Sequence, residues 1–157
     1  AGVAPAVFEA RPRKAVVTAA ADYALLQPID PGVMARNLFE DVFNLSEPQL
    51  ARPEDVGRTL FALTRRGRLH TTLFGVGGDL EFEGLRMHGL LFADRVTEGG
   101  DSGCCLVDTT FRVWGLLVGS ATVAIVSRTT GEERVVLCSV FAPANFVLSR
   151  EKARLTS

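Results

Sequence analysis

The sequence predicts an all-β fold, a barrel or sandwich closed by one C-terminal helix. Three observations carry this. Short runs of leucine, β-branched and aromatic residues recur from Thr59 to Phe141, each of strand length. Turn signals separate them at Arg65-Arg66-Gly67, Gly77-Gly78-Asp79, Glu98 to Gly103 and Arg128 to Glu133. Only beyond Pro143 does a segment read as a docking helix, so strands and helices do not alternate as a parallel α/β sheet requires.

Residues 1 to 14 are rich in small side chains and end in Arg11-Pro12-Arg13-Lys14, the composition of an exposed arm. Ala15 to Ile29 contains Val16-Val17-Thr18 and Asp22-Tyr23-Ala24-Leu25-Leu26-Gln27-Pro28-Ile29, runs bounded by prolines that favour one or two strands. Asp30-Pro31-Gly32 is a turn signal. Val33, Leu38, Val42 and Leu45 fall roughly one face apart, so that stretch reads as a short helix or a folded connecting loop. Ser46 to Asp55, with Pro48 and Pro53, is the linker, and it divides the chain into 1–56 and 57–157.

Beyond the linker the pattern is β. Thr59 to Thr64 is a strand ending at Arg65-Arg66-Gly67, and Leu69 to Val76 is a second that closes at Gly77-Gly78-Asp79. Gly75-Val76-Gly77-Gly78 belongs to a turn, because no helix or lysine follows it as a phosphate loop requires. Leu80, Phe82 and Leu85 interleave with Glu81 and Glu83, which share a solvated strand face, and the run continues to Leu90-Leu91-Phe92. Leu106-Val107, Val113 to Val118, Val123 to Val126 and Val135 to Phe141 are the later strands, with a hairpin turn at Arg128 to Glu133. Pro143 opens the closing helix, which runs to Leu155 and offers Phe146, Val147 and Leu155 for docking.

The chain's 157 residues suit one compact domain, or two small halves sharing a core. Its 47% hydrophobic content and net charge of −1 lack the basic excess of a nucleic-acid binder. No apolar run reaches membrane-spanning length, and residues 1–5 lack a signal pattern. Neither nucleic acid nor membrane is an expected partner. Cys104, Cys105 and Cys138 are an odd set without zinc-ligand spacing, and no cofactor or metal is expected. They read as three buried thiols in a reducing, cytoplasmic compartment, with a bridge from Cys138 to one of the pair as the alternative.

The chemistry concentrates in Glu98-Gly99-Gly100-Asp101-Ser102-Gly103. Glycines so spaced permit a tight turn that presents the serine hydroxyl and points backbone N–H groups into one concavity. Acyl transfer needs both a presented nucleophile and donors for a developing oxyanion. The same tetrapeptide is also ordinary loop composition.

Three segments together resemble the chymotrypsin/trypsin-like serine peptidases, in that family's order. Gly100-Asp101-Ser102-Gly103 matches the nucleophile motif. Arg112-Val113-Trp114-Gly115-Leu116-Leu117-Val118-Gly119-Ser120 matches the strand bordering the substrate cleft, and Asp22-Tyr23-Ala24-Leu25-Leu26 is similar to the stretch bearing the catalytic aspartate. Phe141-Ala142-Pro143-Ala144-Asn145-Phe146-Val147-Leu148 is similar to the final strand and C-terminal helix. The resemblance implies a chymotrypsin-like β-barrel over 57–157 with a closing helix, preceded by an incomplete first barrel with arm and linker over 1–56. It implies Ser102 as nucleophile, the N–H groups of Gly100 and Ser102 as oxyanion hole, and Asp22 as the carboxylate orienting a histidine. Val118, Gly119 and Ser120 would lie along the substrate backbone. Val96, six residues before Ser102, would line the primary pocket and favour a small or apolar side chain.

The departures are as informative. None of the 21 residues before Asp22 is histidine, where the family carries its general base. The two histidines present, His70 and His88, read as surface or hydrogen-bonded structural residues. The proline usual after the nucleophile motif is also absent, with Cys104-Cys105 in its neighbourhood. Two functions compete. One is a trypsin-like serine peptidase acting on peptides or proteins, its histidine supplied by a segment or subunit outside these residues. The other is a catalytically inactive, protease-like module (a pseudoprotease) that binds peptides or protein partners. An incomplete first barrel further predicts a partner chain, or self-association, covering its apolar surface.

Overall fold

The structure, a computed structural model, describes residues 9–19, 21–30, 38–39, 43–82 and 84–152. Its strands are β1 (Ala10–Thr18), β2 (Ala21–Pro28), β3 (Leu38–Phe39), β4 (Phe43–Asn44), β5 (Thr59–Thr64), β6 (Gly67–Phe82), β7 (Leu85–Asp94), β8 (Cys105–Val107), β9 (Val113–Val126) and β10 (Glu133–Pro143). The helix α1 (Ala144–Arg150) follows β10 directly and ends short of the Leu155 that the sequence indicates: Val147 docks, Phe146 stays 47% exposed, and Leu155 lies outside the described residues.

Six antiparallel strands pair in the order β10-β7-β6-β5-β8-β9, and β9 pairs back to β10, so the ladder returns to its first strand. Leu60, Ala62, Leu73, Leu91, Ala93, Leu106, Trp114, Leu117 and Phe141 fill the interior. The alternation of a β-strand puts the intervening residues on the other face. There Leu90, Phe92, Cys138, Val140 and Ala142 form a second core, covered by Phe74, Leu80 and Phe82 from the far half of β6 and by Val123 and Ile125 from the far half of β9. Phe82 reaches β9, where a Cβ on Gly119 would lie 3.4 Å from its ring.

Long, bent strands make this possible. β6 runs unbroken through Gly77-Gly78-Asp79, where the sequence predicts a turn, and ends at Phe82, with β7 starting at Leu85. Register shifts at Leu73/Gly75, Val76/Gly78 and Gly78/Leu80 mark bulges, which bend and twist the strand. Gly78 lies where a Cβ would stand 2.0 Å from the Phe92 ring, so this glycine serves close approach, not chain reversal. Likewise Val113 to Val126 is one strand where the sequence suggests two.

The N-terminal part also departs from expectation. Arg11-Pro12-Arg13-Lys14 belongs to β1, paired with β2 through a register shift between Pro12 and Lys14. Their exposed side chains made a strand look like an arm. Leu38–Phe39 and Phe43–Asn44 form a small antiparallel ladder, not a helix, and the remainder of 31–42 lies outside the described residues. The linker is pinned. Ser46 N–H donates to Phe111 O at 2.9 Å, Gln49 N–H to Val113 O at 2.8 Å, and Pro53–Asp55 forms a 3-10 turn. The β1–β2 hairpin is held at two points. His88 N–H donates to Ala19 O at 2.7 Å, while Lys14 Nζ, at 2.8 Å, and the Tyr23 hydroxyl both bind the Glu151 carboxylate after α1. Val17 and Leu26 on this hairpin nevertheless stay 64% exposed.

Gly115 offers a direct test of the packing. A Cβ there would lie 2.9 Å from both Ala142 O and Phe141 Cβ, atoms that the β9–β10 ladder holds in place. Gly115→Ala is expected to destabilise the fold by about 1–3 kcal/mol through overpacking, measured by urea denaturation.

Candidate active site

The loop joining β7 to β8 carries Ser102, and its shape is set by Asp101. The Asp101 N–H donates to Glu98 O at 3.1 Å, closing a turn. Its side chain folds back into the turn, where Oδ2 accepts from Glu98 N–H at 2.9 Å and Arg66 Nη2 at 3.0 Å. The residue is only 4% exposed. The Glu98 N–H, and then Arg66, hold its carboxyl below the ordinary carboxylate range against the opposing effect of burial. Asp101 Oδ1 is buried and has no partner among the described residues.

Two further bonds fix the loop to β9. Gly103 N–H donates to Leu117 O, and Leu117 N–H to Cys104 O, each at 2.9 Å. Gly100 and Gly103 flank the serine at φ +94° and +83°, backbone that glycine adopts without strain. The missing side chain of Gly100 has a second use. Three guanidinium atoms of Arg65 all lie 3.7 Å from where its Cβ would stand, so the cation lies flat over this turn. Ser102 itself is exposed.

The N–H groups divide into two sets. Those of Asp101, Gly103 and Cys104 are spent on the turn and on β9. Among the described residues, no acceptor is bonded to the N–H groups of Gly99, Gly100 or Ser102.

Val96 is half-buried against the barrel interior, and its carbonyl accepts from Arg66 Nη2 at 2.8 Å. Arg66 Nε also lies 3.2 Å from Glu98 Oε1, so one guanidinium ties together Val96, Glu98 and Asp101. Next to Val96, the hydroxyls of Thr97 and Ser139 pair at 2.6 Å in a buried position. Val118 and Gly119 are half-buried and Ser120 is exposed, directly following the Leu117 contact to the loop.

Asp22 lies on β2 opposite Val17, and its side chain is outside the described residues. Among the described residues no hydrogen bond joins Ser102 to a histidine. His88, 55% exposed, has Nδ1 3.1 Å from Asp79 Oδ2, and His70 meets the Phe61 ring edge-on at 4.6 Å. Both are surface side chains with structural partners. Glu81 is likewise exposed, and Glu83 lies outside the described residues.

Arg66 and the Thr97–Ser139 pair are absent from the sequence-derived site. The doublet Arg65-Arg66 signals a turn, and nothing local reveals that its second member reaches 35 residues along the chain. Asp108 is another omission. It accepts from Thr110 N–H, Thr110 Oγ1, Arg112 N–H and Trp114 Nε1, organising the β8–β9 turn. Burial raises its pKa, but the bonds from Thr110 and Trp114 outweigh this and hold it below the ordinary range.

The three cysteines are free thiols. Burial pushes Cys104 up to about 12 and Cys105 up to about 11. At pH 8 only about one Cys104 in ten thousand is then thiolate, the form that reacts. Iodoacetamide is expected to leave Cys104 and Cys105 unmodified in the folded protein at pH 8 and to alkylate both in urea, read by intact mass. Among the described residues no group of three His, Cys, Asp or Glu side chains could hold a metal, and no helix is long and apolar enough to cross a membrane.

No protein-family model and no curated protein sequence matches this chain. Solved structures do. The chain is similar to a glutamic acid specific serine protease at TM-score 0.68 and 13% identity, covering 94% of this chain and 73% of that one. Similarity to the Nocardiopsis protease has TM-score 0.69 and 16% identity over 94% of this chain and 74% of that one. The MamO protease domain from Magnetospirillum magneticum matches at TM-score 0.61 and 20% identity, over 91% and 67% of the two chains. The fold is therefore chymotrypsin-like.

Proposed function

We propose that this chain is the serine-bearing part of a chymotrypsin-like serine peptidase, acting on peptide bonds with a histidine supplied from outside these 157 residues. The observation that carries the reading is the division of N–H groups around Ser102. Among the described residues no acceptor takes the N–H groups of Gly100 and Ser102, which stand on a turn that buried Asp101 holds fixed, an arrangement suited to an oxyanion.

On this reading Ser102 Oγ attacks the scissile carbonyl carbon and its proton passes to the histidine. The carbonyl oxygen, now negative, is received by the N–H groups of Gly100 and Ser102. Collapse of the tetrahedral species breaks the C–N bond, and the histidine returns the proton to the leaving amine. Water then hydrolyses the acyl-enzyme by the same steps. Asp22 orients the histidine from β2, Val118 to Ser120 align the substrate backbone, and Val96 presents an aliphatic wall to the side chain before the cleaved bond.

The placement of His70 and His88 favours the second reading, a module that binds peptides without cutting them. A serine without a base is a poor nucleophile at neutral pH. A fluorophosphonate separates the two. Labelling of Ser102, lost in Ser102→Ala, supports the peptidase, and a chain that stays unlabelled when a histidine-bearing segment is supplied supports the module.

A further inference from the structure

Glu151 stands where a carboxylate is locally disfavoured. It follows the last turn of α1, its N–H donating to Val147 O at 3.1 Å, and Lys152 then turns the chain at φ +50°. Open carbonyls at a helix C-terminus repel negative charge. The carboxyl nevertheless sits below the ordinary carboxylate range, because Lys14 and then Tyr23 hydrogen-bond to it and outweigh the opposing effect of burial. Both donors reach the same oxygen, Oε1, and the Glu151 side chain is only 12% exposed.

The two donors come from the β1–β2 hairpin. The register Lys14↔Leu25, Val16↔Tyr23 and the alternation of a strand put Lys14, Val16 and Tyr23 on one face. Val16 on that face is buried and Val17 beside it is exposed, so this is the face by which the hairpin docks. Burial, and then the bond to Glu151, hold the Tyr23 hydroxyl above the ordinary phenol range. The bond from His88 N–H to Ala19 O ties the hairpin near its tip. One such tie leaves a hairpin able to pivot, and the second, at Glu151, fixes its direction. Asp22 lies between the two ties in the chain, next to Tyr23.

We propose that Glu151 is a positioning residue for the reaction at Ser102, fixing β2, and Asp22 with it, against the barrel that carries the nucleophile. The role rests on the serine-peptidase reading. A continuous path joins the two groups: the Ser102 loop is bonded to β9 at Leu117, β9 pairs along β10, and β10 runs directly into α1. From the end of α1, Glu151 carries the path across to Tyr23 and so to Asp22. A residue that orients a catalytic base must be held within about 0.5 Å of its productive place. A tie near the tip does not alone hold a strand so closely, and the bond at Glu151 supplies the missing constraint.

Two readouts on Glu151→Ala test this, with Trp114 fluorescence showing that the barrel stays folded. Tyr23→Phe, which removes the hydroxyl alone, serves as the second variant and should share the loss of labelling. Tyr23 is the chain's one tyrosine, so phenolate absorbance reports the tie directly. In Glu151→Ala that absorbance should rise at lower pH than in the parent, while Lys14 and Arg150, which act in the opposite sense, remain in both. An unchanged titration would overturn the tie and the proposal with it. The reaction is followed as fluorophosphonate labelling of Ser102 with a histidine-bearing first-barrel segment supplied. The maximal labelling rate is expected to fall at least about tenfold in Glu151→Ala. The half-saturating probe concentration should not change, because Asp22 acts on the base and not on the probe. Asp22→Ala should lose as much or more, and the double variant no more than Asp22→Ala alone. Losses that multiply, or that fall on half-saturation, would overturn the positioning role. An unaltered rate in Glu151→Ala would overturn it too and leave the peptidase standing. A parent that stays unlabelled removes the peptidase and this role together, whatever the Tyr23 titration shows.

Discussion

Arg66→Ala is expected to destabilise the protein by about 2 kcal/mol and to loosen the Ser102 turn. The guanidinium binds Val96 O, Glu98 and Asp101 together, and its loss leaves a buried carboxylate with Glu98 N–H as the donor to its side chain. Removing one partner of a buried pair costs more than the pair contributes, although Arg66 is 39% exposed and water moderates the loss. The effect has a pH signature. Asp101 has a pKa lowered in the folded state, so its contribution is present above the unfolded value of about 4 and is lost as pH falls through the folded one. Stability of the parent should fall with acid below about pH 4, and the fall should be shallower in Arg66→Ala and in Asp101→Asn. Urea denaturation at pH 7 and pH 3 checks this. Equal losses in parent and variants would contradict the role given to Arg66.

Asp108→Ala should cost about 3 kcal/mol, the larger stability effect of the two. Its carboxylate receives four donors within 3.1 Å, among them the indole N–H of Trp114, a fully buried side chain. Alanine strands that N–H in the barrel interior, where an unmade hydrogen bond costs most. It also releases the backbone at Phe111, held at φ +59°, which few residues other than glycine adopt. Asp108→Asn keeps an acceptor and should lose less. Urea melts followed by tryptophan fluorescence report the site directly, since Trp114 is the chain's one tryptophan.

Local signals were legible where local physics decides. Thr59–Thr64, the Arg128–Glu133 hairpin turn and the start of the helix after Pro143 stand at the positions that the sequence indicates. The Gly100–Gly103 turn does as well, because positive φ on both sides of the serine needs glycine. Failures came where a residue serves something distant. Gly77-Gly78 has the composition of a turn, yet Gly78 is small to admit the Phe92 ring, a requirement visible only once β6 and β7 pair. Gly119-Ser120-Ala121-Thr122 reads as a break because its side chains are small, yet the backbone continues one strand. Arg11 to Lys14 looked solvated and is, but solvated residues also build an outer strand. Arg66 was invisible because its partners, Val96 and Asp101, lie 30 and 35 residues away.

The most direct test of the account is intact-mass analysis after fluorophosphonate treatment. It should be run on this chain alone, on the chain mixed with a histidine-bearing first-barrel segment, and on Ser102→Ala of each. A single adduct at Ser102 is expected once the histidine is supplied, little or none without it, and none in either alanine variant. An adduct that survives Ser102→Ala, or no adduct in any form, would contradict a nucleophile at this turn.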